Sequence, residues 1–226
     1  MSFRHVMAFA ALTGAGLLGL GCARAADAPA DVKPGDATAG QAKAATCGAC
    51  HGVDGNPTMS QYPKLAGQHE DYIVRQVELF KSGKRSNPVM MGFIANLSVQ
   101  DMHDIGAYFA SKTSLPGVAD SKLVALGQSY FRGGDGKDSV PACMACHGPD
   151  GRGNPGAGYP QLAGQYADYV AAKLKEFRDG KGYSDDDRAK IMVAVAKSLN
   201  DNEIGALASY VEGLHSASAK TSTVAK

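Results

Sequence analysis

One pattern in this sequence has the residues needed to attach a metal cofactor covalently, and it occurs twice. Residues 47–51 read Cys-Gly-Ala-Cys-His, and residues 143–147 read Cys-Met-Ala-Cys-His. Cys-x-x-Cys-His is the attachment signature of c-type haem, in which two thiols add across the haem vinyl groups and the adjacent histidine binds the iron. The pattern therefore predicts two covalently bound haems c. The thiols are Cys47, Cys50, Cys143 and Cys146, and the iron-binding imidazoles are His51 and His147.

Three other uses of paired cysteines compete with haem attachment. A zinc site built from the four thiols does not require a histidine after each pair. A thioredoxin-like dithiol needs a βαβ setting, which this sequence does not offer. Structural disulfides are the third alternative, but five cysteines are too few for a disulfide scaffold in a chain of 226 residues. We therefore expect haem and no zinc.

The two haem motifs lie inside a longer internal repeat. Residues 62–68 read Tyr-Pro-Lys-Leu-Ala-Gly-Gln, and residues 159–165 read Tyr-Pro-Gln-Leu-Ala-Gly-Gln. The extra residues of the second copy fall in stretches rich in Gly and Asp, where surface loops tolerate insertions. The chain is therefore an internal duplication, and residues 113–120 are predicted to link the copies. Further matches pair Gly40 with Gly127, Phe80 with Phe177, Leu97 with Leu199 and Tyr108 with Tyr210.

The repeat also indicates a second iron ligand in each copy. Its alignment places Met90 opposite Met192, whereas Met91 stands opposite Val193. A lone methionine usually belongs to a core, but thioether sulfur is also a good soft ligand for haem iron. We therefore expect Met90 and Met192 as the distal ligands, with Met91 as the rival of Met90 at one residue of spacing. The acidic run 185–187 is expected to cap a short helix before Met192.

Helical periodicity dominates each copy, and no convincing strand pattern is present. Apolar stripes at helical spacing predict helices over residues 69–81 and 166–178, and an Ala-rich helix is expected over 38–47. Ser98 and Asn200, each followed three residues later by an acidic residue, have the spacing of capping boxes and predict where the last helices begin. Each copy is therefore expected to be a small all-α domain wrapped around its haem.

The first 25 residues have the pattern of a secretory signal peptide. Arg4 precedes an apolar run, and residues 23–25 read Ala-Arg-Ala, an A-x-A cleavage site. We expect cleavage after Ala25 and export of the mature protein. Two alternatives remain open, an N-terminal anchor that is never cut and a lipoprotein signal ending at Cys22. Loss of the two arginines in this segment changes the net charge from +1 to −1.

Composition and length bound the remaining possibilities. The 23 Lys and Arg residues are balanced by 22 Asp and Glu residues, so no basic excess exists to hold a nucleic-acid backbone. The chain is long enough for two small domains, predicted here as residues 26–115 and 116–226 after a signal peptide of residues 1–25. Three histidines lack counterparts in the repeat and are expected to be solvated surface residues, namely His69, His103 and His215.

These motifs resemble those of the di-haem cytochromes c4, a two-domain branch of the class I cytochrome c family. The resemblance rests on both Cys-x-x-Cys-His motifs, both Tyr-Pro-x-Leu-Ala-Gly-Gln segments and both methionine-containing loops, and it covers residues 36–215. It implies an all-α fold of two tandem class I cytochrome c domains related by internal duplication. It also implies that the carbonyl of Pro63 orients His51 and that the carbonyl of Pro160 orients His147.

The resemblance also implies an activity. Such cytochromes carry electrons in the bacterial periplasm, from a quinol-oxidising complex (quinol–cytochrome c oxidoreductase) toward a terminal oxidase, and are often loosely attached to the membrane. The chain is accordingly expected to be an electron carrier and no enzyme. The main alternative is a di-haem cytochrome subunit of a dehydrogenase, such as a flavocytochrome c sulfide dehydrogenase. A di-haem peroxidase fits less well, because it needs an open iron position and both copies offer a methionine.

Overall fold

The computed structural model describes residues 32–181 and 186–215, which form ten α-helices and no β-strand. The all-α class expected from the periodicity is confirmed. The predicted signal peptide, including Cys22, lies outside the described residues, as do residues 182–185. The helices are α1 Ala37–Lys43, α2 Gly48–His51, α3 Glu70–Lys81, α4 Pro88–Ile94, α5 Val99–Ala110, α6 Val124–Gly133, α7 Met144–His147, α8 Ala167–Arg178, α9 Asp187–Ala196 and α10 Asp201–Gly213.

The helices form two halves with the same arrangement, called here the N-terminal half (residues 32–115) and the C-terminal half (116–181 and 186–215). In the N-terminal half α1 packs across α5, and α3 packs on α4 and α5. In the C-terminal half α6 packs across α10, and α8 packs on α9 and α10. The internal repeat of the sequence is therefore a repeat of helix packing as well.

Glycines allow the first and last helices of each half to cross in close contact. A Cβ atom on Gly40 would lie 1.9 Å from the carbonyl oxygen of Asp104, and one on Gly127 would lie 2.2 Å from that of Ala206. No side chain fits at such distances unless a backbone moves. The two glycines thus allow α1 and α6 to lie close to the last helix of their half. Each haem motif follows one of these helices and is placed near the last helix as a result.

The predicted capping residues define where the helices begin. Ser98 Oγ accepts from the N–H of Asp101 at 3.1 Å, and the Asp101 carboxylate accepts from the N–H of Ser98 at 2.9 Å. Asn200 and Glu203 form the same reciprocal box at α10, and Asp186 caps α9. The expected caps are confirmed, because each depends only on residues within one turn of the helix start. The helix that Asp186 caps differs from the expectation in one respect: it extends to Ala196 and contains Met192 instead of ending before it.

The first helix is shorter than the Ala-rich stretch predicts. α1 ends at Lys43, and the chain then tightens into a 3₁₀ turn over Ala44–Thr46 that leads to Cys47. A tighter turn rotates the following residues relative to a continuous α-helix. The haem motif therefore begins on its own short helix, α2, rather than at the end of α1.

Each half has its own hydrophobic core, and the haem motifs rest on these cores. The N-terminal core includes Phe109, which is 1% exposed, and the C-terminal core includes Phe131, which is 0% exposed. Cys47 packs against the first core and Cys143 against the second. Other core members are Ile73, Val77, Phe80, Ile94, Met102 and Tyr108 in the first half, and Tyr130, Leu199, Ile204, Leu207 and Tyr210 in the second.

The connection over residues 113–120 contains no helix and is fastened to both halves. On the N-terminal side, the N–H of Leu115 donates to the side-chain oxygen of Asn56 at 2.9 Å. On the C-terminal side, the N–H of Gly117 donates to the carbonyl of Glu212 at 3.1 Å. The predicted linker is thus held to both halves by hydrogen bonds.

Two of the histidines expected to be solvated are half-buried and hydrogen-bonded instead. Nε2 of His69 lies 2.8 Å from the carbonyl oxygen of Arg152 in the other half. Nδ1 of His103 lies 2.7 Å from a carboxylate oxygen of Glu70. The expectation was wrong for these two because the absence of a repeat counterpart says nothing about which surfaces meet. His215 is exposed, as predicted.

No helix within residues 32–181 and 186–215 has the length and apolar character that crossing a bilayer requires. The longest of them, α10, has 13 residues.

Candidate haem sites

The cysteines of each motif lie at short helices that rest on the cores. Cys47 and Cys143 stand directly before α2 and α7, and Cys50 and Cys146 lie within those helices. All four are free, half-buried thiols. Burial raises the pKa of the Cys47 thiol and raises that of Cys143 to about 11. Burial therefore favours the protonated thiol at these two positions.

The histidines that end these helices are held in one tautomer. His51 and His147 are only 7% and 6% exposed. Nδ1 of His51 lies 2.9 Å from the carbonyl oxygen of Pro63, and Nδ1 of His147 lies 3.0 Å from that of Pro160. Because a carbonyl only accepts, Nδ1 must carry the proton, and Nε2 keeps the lone pair that an iron atom binds.

Charge also favours metal binding by these imidazoles. Burial lowers the pKa of His51 and of His147, although the hydrogen bond to each proline carbonyl opposes the shift. The neutral form is the one that coordinates a metal. The two histidines, each oriented by a proline carbonyl, are therefore suited to serve as equivalent nitrogen ligands in the two halves.

A tyrosine lies edge-on to each of these imidazoles. The ring centroid of Tyr62 is 6.1 Å from that of His51, and the centroid of Tyr159 is 5.9 Å from that of His147. Sequence reasoning used these tyrosines only as markers of the repeat. Their recurrence one residue before both prolines was the signal that could have assigned them to the sites.

The methionines of the N-terminal half lie in α4 and face different surroundings. Asn87 caps this helix and accepts from the N–H of Met90 at 3.1 Å. Met90 is half-buried and packs against the core that also supports Cys47. Met91 is 38% exposed and lines a cavity of about 250 Å³ beside Phe80. Met90 is thus the methionine directed toward the core beneath the first haem motif.

The C-terminal half offers one methionine in the equivalent helix. Met192 lies in α9 and is half-buried. Val193, which stands opposite Met91 in the repeat, has no ligand atom. The two halves thus share a methionine at one position only, that of Met90 and Met192.

Each half therefore assembles the residues that would hold a haem c. These residues are two free thiols, an imidazole with its Nε2 lone pair available, and a methionine on a helix that follows. An apolar core lies beneath the thiols, which suits the apolar macrocycle.

Comparison with known proteins agrees with this donor set. The family model for cytochrome c matches the chain twice, over residues 37–112 and 133–215. Cytochrome c4 of Pseudomonas aeruginosa is 51% identical over 181 residues, which cover 80% of this chain and 90% of that protein. A protein of Stutzerimonas stutzeri named thiosulfate dehydrogenase electron acceptor is 34% identical over 177 residues, covering 74% of this chain and 78% of its own.

A solved structure extends the comparison to the fold. The crystal structure of reduced recombinant cytochrome c4 from Pseudomonas stutzeri is similar with a TM-score of 0.77 and 46% identity, covering 80% of this chain and 100% of that one. Together with the duplicated motifs, these matches show that the chain belongs to the cytochrome c family, among the di-haem cytochromes c4, and carries two covalently bound haems c.

Proposed function

We propose that this di-haem electron-transfer cytochrome works in the periplasm, carrying single electrons from a quinol-oxidising complex toward a terminal oxidase. The duplicated donor set carries the proposal: a preorganised imidazole and a half-buried methionine on a later helix occur in both halves. Two sites of the same kind on one chain suit the passage of electrons rather than the transformation of a substrate.

In this proposal His51 with Met90 would hold the iron of one haem, and His147 with Met192 would hold the iron of the other. A haem so ligated supplies reversible one-electron Fe(III)/Fe(II) chemistry. Pro63 and Pro160 hold the imidazoles in place, and the soft methionine sulfur stabilises the reduced state and raises the reduction potential. A haem iron held by both a histidine and a methionine would offer no open position to peroxide.

The ligand assignment is tested by spectroscopy of matched variants. Met90→Ala should lower one of the two reduction potentials, remove half of the Met-to-iron charge-transfer absorption and open that iron to carbon monoxide. Met91→Ala is the matched control and should leave all three properties unchanged. If Met91→Ala is the variant that loses the charge-transfer band, the assignment is wrong by one residue. Pyridine haemochrome analysis should give two haems per chain.

A dehydrogenase is the second candidate for the electron donor. One relative, 34% identical over most of this chain, is named a thiosulfate dehydrogenase electron acceptor. That observation favours a cytochrome that accepts electrons from a sulfur-oxidising dehydrogenase. Of the two alternatives weighed from the sequence, it supports a dehydrogenase-associated cytochrome and gives no support to a peroxidase. A separate subunit or a diffusing acceptor would need the same two haem sites.

Electron-transfer kinetics separate the two donors. The oxidised protein is mixed with a quinol-oxidising complex plus quinol, or with a thiosulfate dehydrogenase plus thiosulfate, and haem reduction is followed by stopped flow. We expect fast reduction by the quinol-oxidising complex and fast reoxidation by a terminal oxidase. Fast reduction by the dehydrogenase alone would favour the second candidate.

Location follows from the N-terminal segment. Cleavage after Ala25 would release the protein into the periplasm, whereas lipid attachment at Cys22 would tether it to the membrane. The mass of the N-terminal peptide of the mature protein distinguishes these outcomes. Fractionation at low and high salt then tests for a loose, peripheral association with the membrane, and no association with nucleic acid is expected.

A further inference from the structure

The two Tyr-Pro-x-Leu-Ala-Gly-Gln segments bind each other across the boundary between the halves. The side chain of Gln165 binds the backbone of Lys64 at two points: its Oε1 accepts from the Lys64 N–H at 2.9 Å, and its Nε2 donates to the Lys64 carbonyl at 3.0 Å. Gln68 binds the backbone of Gln161 in the same way, at 2.9 and 3.0 Å. Both glutamines are buried, with Gln68 at 7% and Gln165 at 9% exposure.

The peptide groups bound by these glutamines are the ones that orient the histidines. The N–H of Lys64 and the carbonyl of Pro63 belong to one planar peptide unit. Its carbonyl accepts from Nδ1 of His51, while its N–H donates to Gln165. A continuous chain of hydrogen bonds thus runs from a side chain of the C-terminal half to the imidazole of the N-terminal half.

The second chain of hydrogen bonds is the counterpart of the first. The peptide unit between Pro160 and Gln161 accepts from His147 through its carbonyl and donates to Gln68 through its N–H. Each haem-binding histidine is therefore oriented by its own half but supported by the other.

Each glutamine is itself fixed where the next helix starts. Oε1 of Gln68 also accepts from the N–H of His69 at 3.0 Å, and Oε1 of Gln165 accepts from that of Tyr166 at 3.1 Å. These neighbours are the N-cap residues of α3 and α8. The acceptor oxygen is therefore held in place by the same segment that carries it.

We propose that Gln165 and Gln68 are crossed positioning residues, Gln165 acting on the haem ligand His51 and Gln68 acting on His147. This rests on the proposed ligation by the two histidines. A peptide unit whose N–H is engaged is polarised and becomes a stronger acceptor at its carbonyl. The Nδ1–H bond is then held more tightly, and Nε2 becomes a better electron donor to the iron.

The direction of the effect follows from this chain. Replacing Gln165 with methionine keeps much of the side-chain volume and removes both cross-half hydrogen bonds. The Pro63 carbonyl then accepts more weakly and His51 donates less charge, so the oxidised iron of the N-terminal half is stabilised less. The N-terminal haem should become easier to reduce, and the C-terminal haem should not change. Gln68→Met should do the reverse.

The experiment uses the full-length, haem-loaded protein. In the reduced, diamagnetic state, NMR of ¹⁵N-histidine-labelled protein measures hydrogen exchange at Nδ1 of His51 and of His147 separately. Gln165→Met should speed exchange at His51 about fivefold, the change expected for loss of about 1 kcal/mol of hydrogen-bond support, and leave His147 unchanged. At a fixed solution potential, the reduced-to-oxidised ratio of the N-terminal haem should rise roughly twofold.

Two further variants separate positioning from a looser interface. Tyr166→Phe removes a neighbouring cross-half hydrogen bond, from the tyrosine hydroxyl to the Pro57 carbonyl, and should leave both haems unchanged. Gln165→Glu keeps an acceptor for the Lys64 N–H but loses the Nε2 donor. Because the N–H of the peptide unit stays engaged, exchange at His51 should be slow in this variant, as in the unmodified protein.

Several results would overturn the proposal. Gln165→Met could affect both haems equally, or Tyr166→Phe could have as large an effect as Gln165→Met. Nδ1 of His51 could also exchange as fast in Gln165→Glu as it does in Gln165→Met. Loss of histidine ligation in the unmodified protein would instead refute the proposed ligand set. Should Gln165→Met not fold, the proposal still requires fast exchange at His147 in Gln68→Met and slow exchange at His51 in Gln165→Glu, and the opposite result in either variant would overturn it.

Discussion

In each half, a polar contact joins the first helix to the last helix where the two cross. The contact lies at equivalent positions in the two halves, but different groups make it. In the N-terminal half, Nζ of Lys43 lies 2.6 Å from a carboxylate oxygen of Asp101. In the C-terminal half, the hydroxyl of Tyr130 lies 2.7 Å from a carboxylate oxygen of Glu203. One contact joins two charges and the other joins a neutral donor to a charge. The duplication has thus kept the place of the contact while the groups that make it have changed.

The cores differ in a similar way. Phe109 of α5 packs in the N-terminal core, and Phe131 of α6 packs in the C-terminal core. The repeat places Ala44 opposite Phe131 and Val211 opposite Phe109, and both of these smaller residues are buried as well. At this pair of positions each half therefore has one aromatic ring, which comes from the last helix in the N-terminal half and from the first helix in the C-terminal half. The aromatic ring has thus changed places between the two positions, and both positions are buried in both halves.

The largest effect is expected at the feature that both halves share without change, the glycine of the helix crossing. Gly40→Ala and Gly127→Ala place a Cβ about 2 Å from a backbone oxygen, so the helices must separate. We expect each variant to lose about 3 kcal/mol or more of the free energy of unfolding, measured with guanidinium chloride on the haem-loaded protein. Similar losses would show that the two crossings are equally tight.

Gly205→Ala is the matched control for these variants. Gly205 lies inside α10, and apart from its chain neighbours and the backbone of its own helix, no atom lies within 4 Å of where its Cβ would be. Alanine is favoured over glycine in a helix by about 1 kcal/mol, so this variant should be as stable as the starting protein or more stable. A loss here equal to that of Gly127→Ala would attribute the effect to glycine replacement in general.

The next effect concerns the exchanged aromatic rings. Phe109→Val should cost about 2 kcal/mol because it leaves a cavity in the N-terminal core. Ala44→Phe should also destabilise, because it overfills the same core. The double variant, which copies the C-terminal arrangement, should recover at least about 1 kcal/mol relative to the sum of the single changes. Strict additivity in chemical unfolding would contradict the proposed exchange of volume.

A smaller effect, present at neutral pH and lost in acid, is expected from the ion-paired carboxylate of Asp104 in the N-terminal half. Asp104 accepts from the N–H of Asp36 and from Lys43, and these bonds lower its pKa to about 2. A depressed carboxyl pKa adds stability above the unfolded value near 4, and this is lost as the pH falls toward 2. Asp104→Asn should lower the free energy of unfolding by about 1–2 kcal/mol at pH 7. It should also weaken the dependence of the melting temperature on pH between pH 4 and 2.

The C-terminal counterpart should respond in alkali. The hydrogen bond to Glu203, followed by burial and Asp135, raises the pKa of Tyr130. A raised tyrosine pKa adds stability below the unfolded value near 10, and this is lost as the pH rises through the folded value. Tyr130→Phe should therefore cost about 1 kcal/mol at pH 7 and lessen the alkaline fall in melting temperature. An unchanged alkaline profile would show that other groups govern it.

The smallest effect is expected where the two Tyr-Pro-x-Leu-Ala-Gly-Gln segments differ, at Lys64 and Gln161. Nζ of Lys64 donates to the carbonyls of Leu115 and Gly164 at 2.6 and 2.7 Å, in surroundings that leave the residue 5% exposed. Burial lowers the pKa of this amine, so its loss also relieves a desolvation cost. Lys64→Gln should change the free energy of unfolding by less than about 1 kcal/mol. A loss comparable to that of Gly40→Ala would show that the position of the linker over residues 113–120 depends on this lysine.

The haem motifs, the duplication and the helix starts could be predicted from sequence because each depends on residues close together in the chain. Cys-x-x-Cys-His contains its own chemistry, and the Ser98 and Asn200 capping boxes act within one turn. The contact of each proline with its histidine came from a resemblance rather than from the residues themselves. The end of α1 at Lys43 was missed because a change from α to 3₁₀ turns follows packing rather than propensity.

Tertiary structure alone decided what lies between the halves. Gln68 and Gln165 are visible in the sequence as members of a repeat, yet nothing local shows that each binds the opposite segment on the peptide that orients a histidine. His69 was misplaced for the same reason, since its partner carbonyl belongs to the other half. Chain chemistry determines which cofactor is bound and how many times, because attachment needs only adjacent residues. The support that each half gives the other depends on docking geometry, which brings together residues that are distant in sequence.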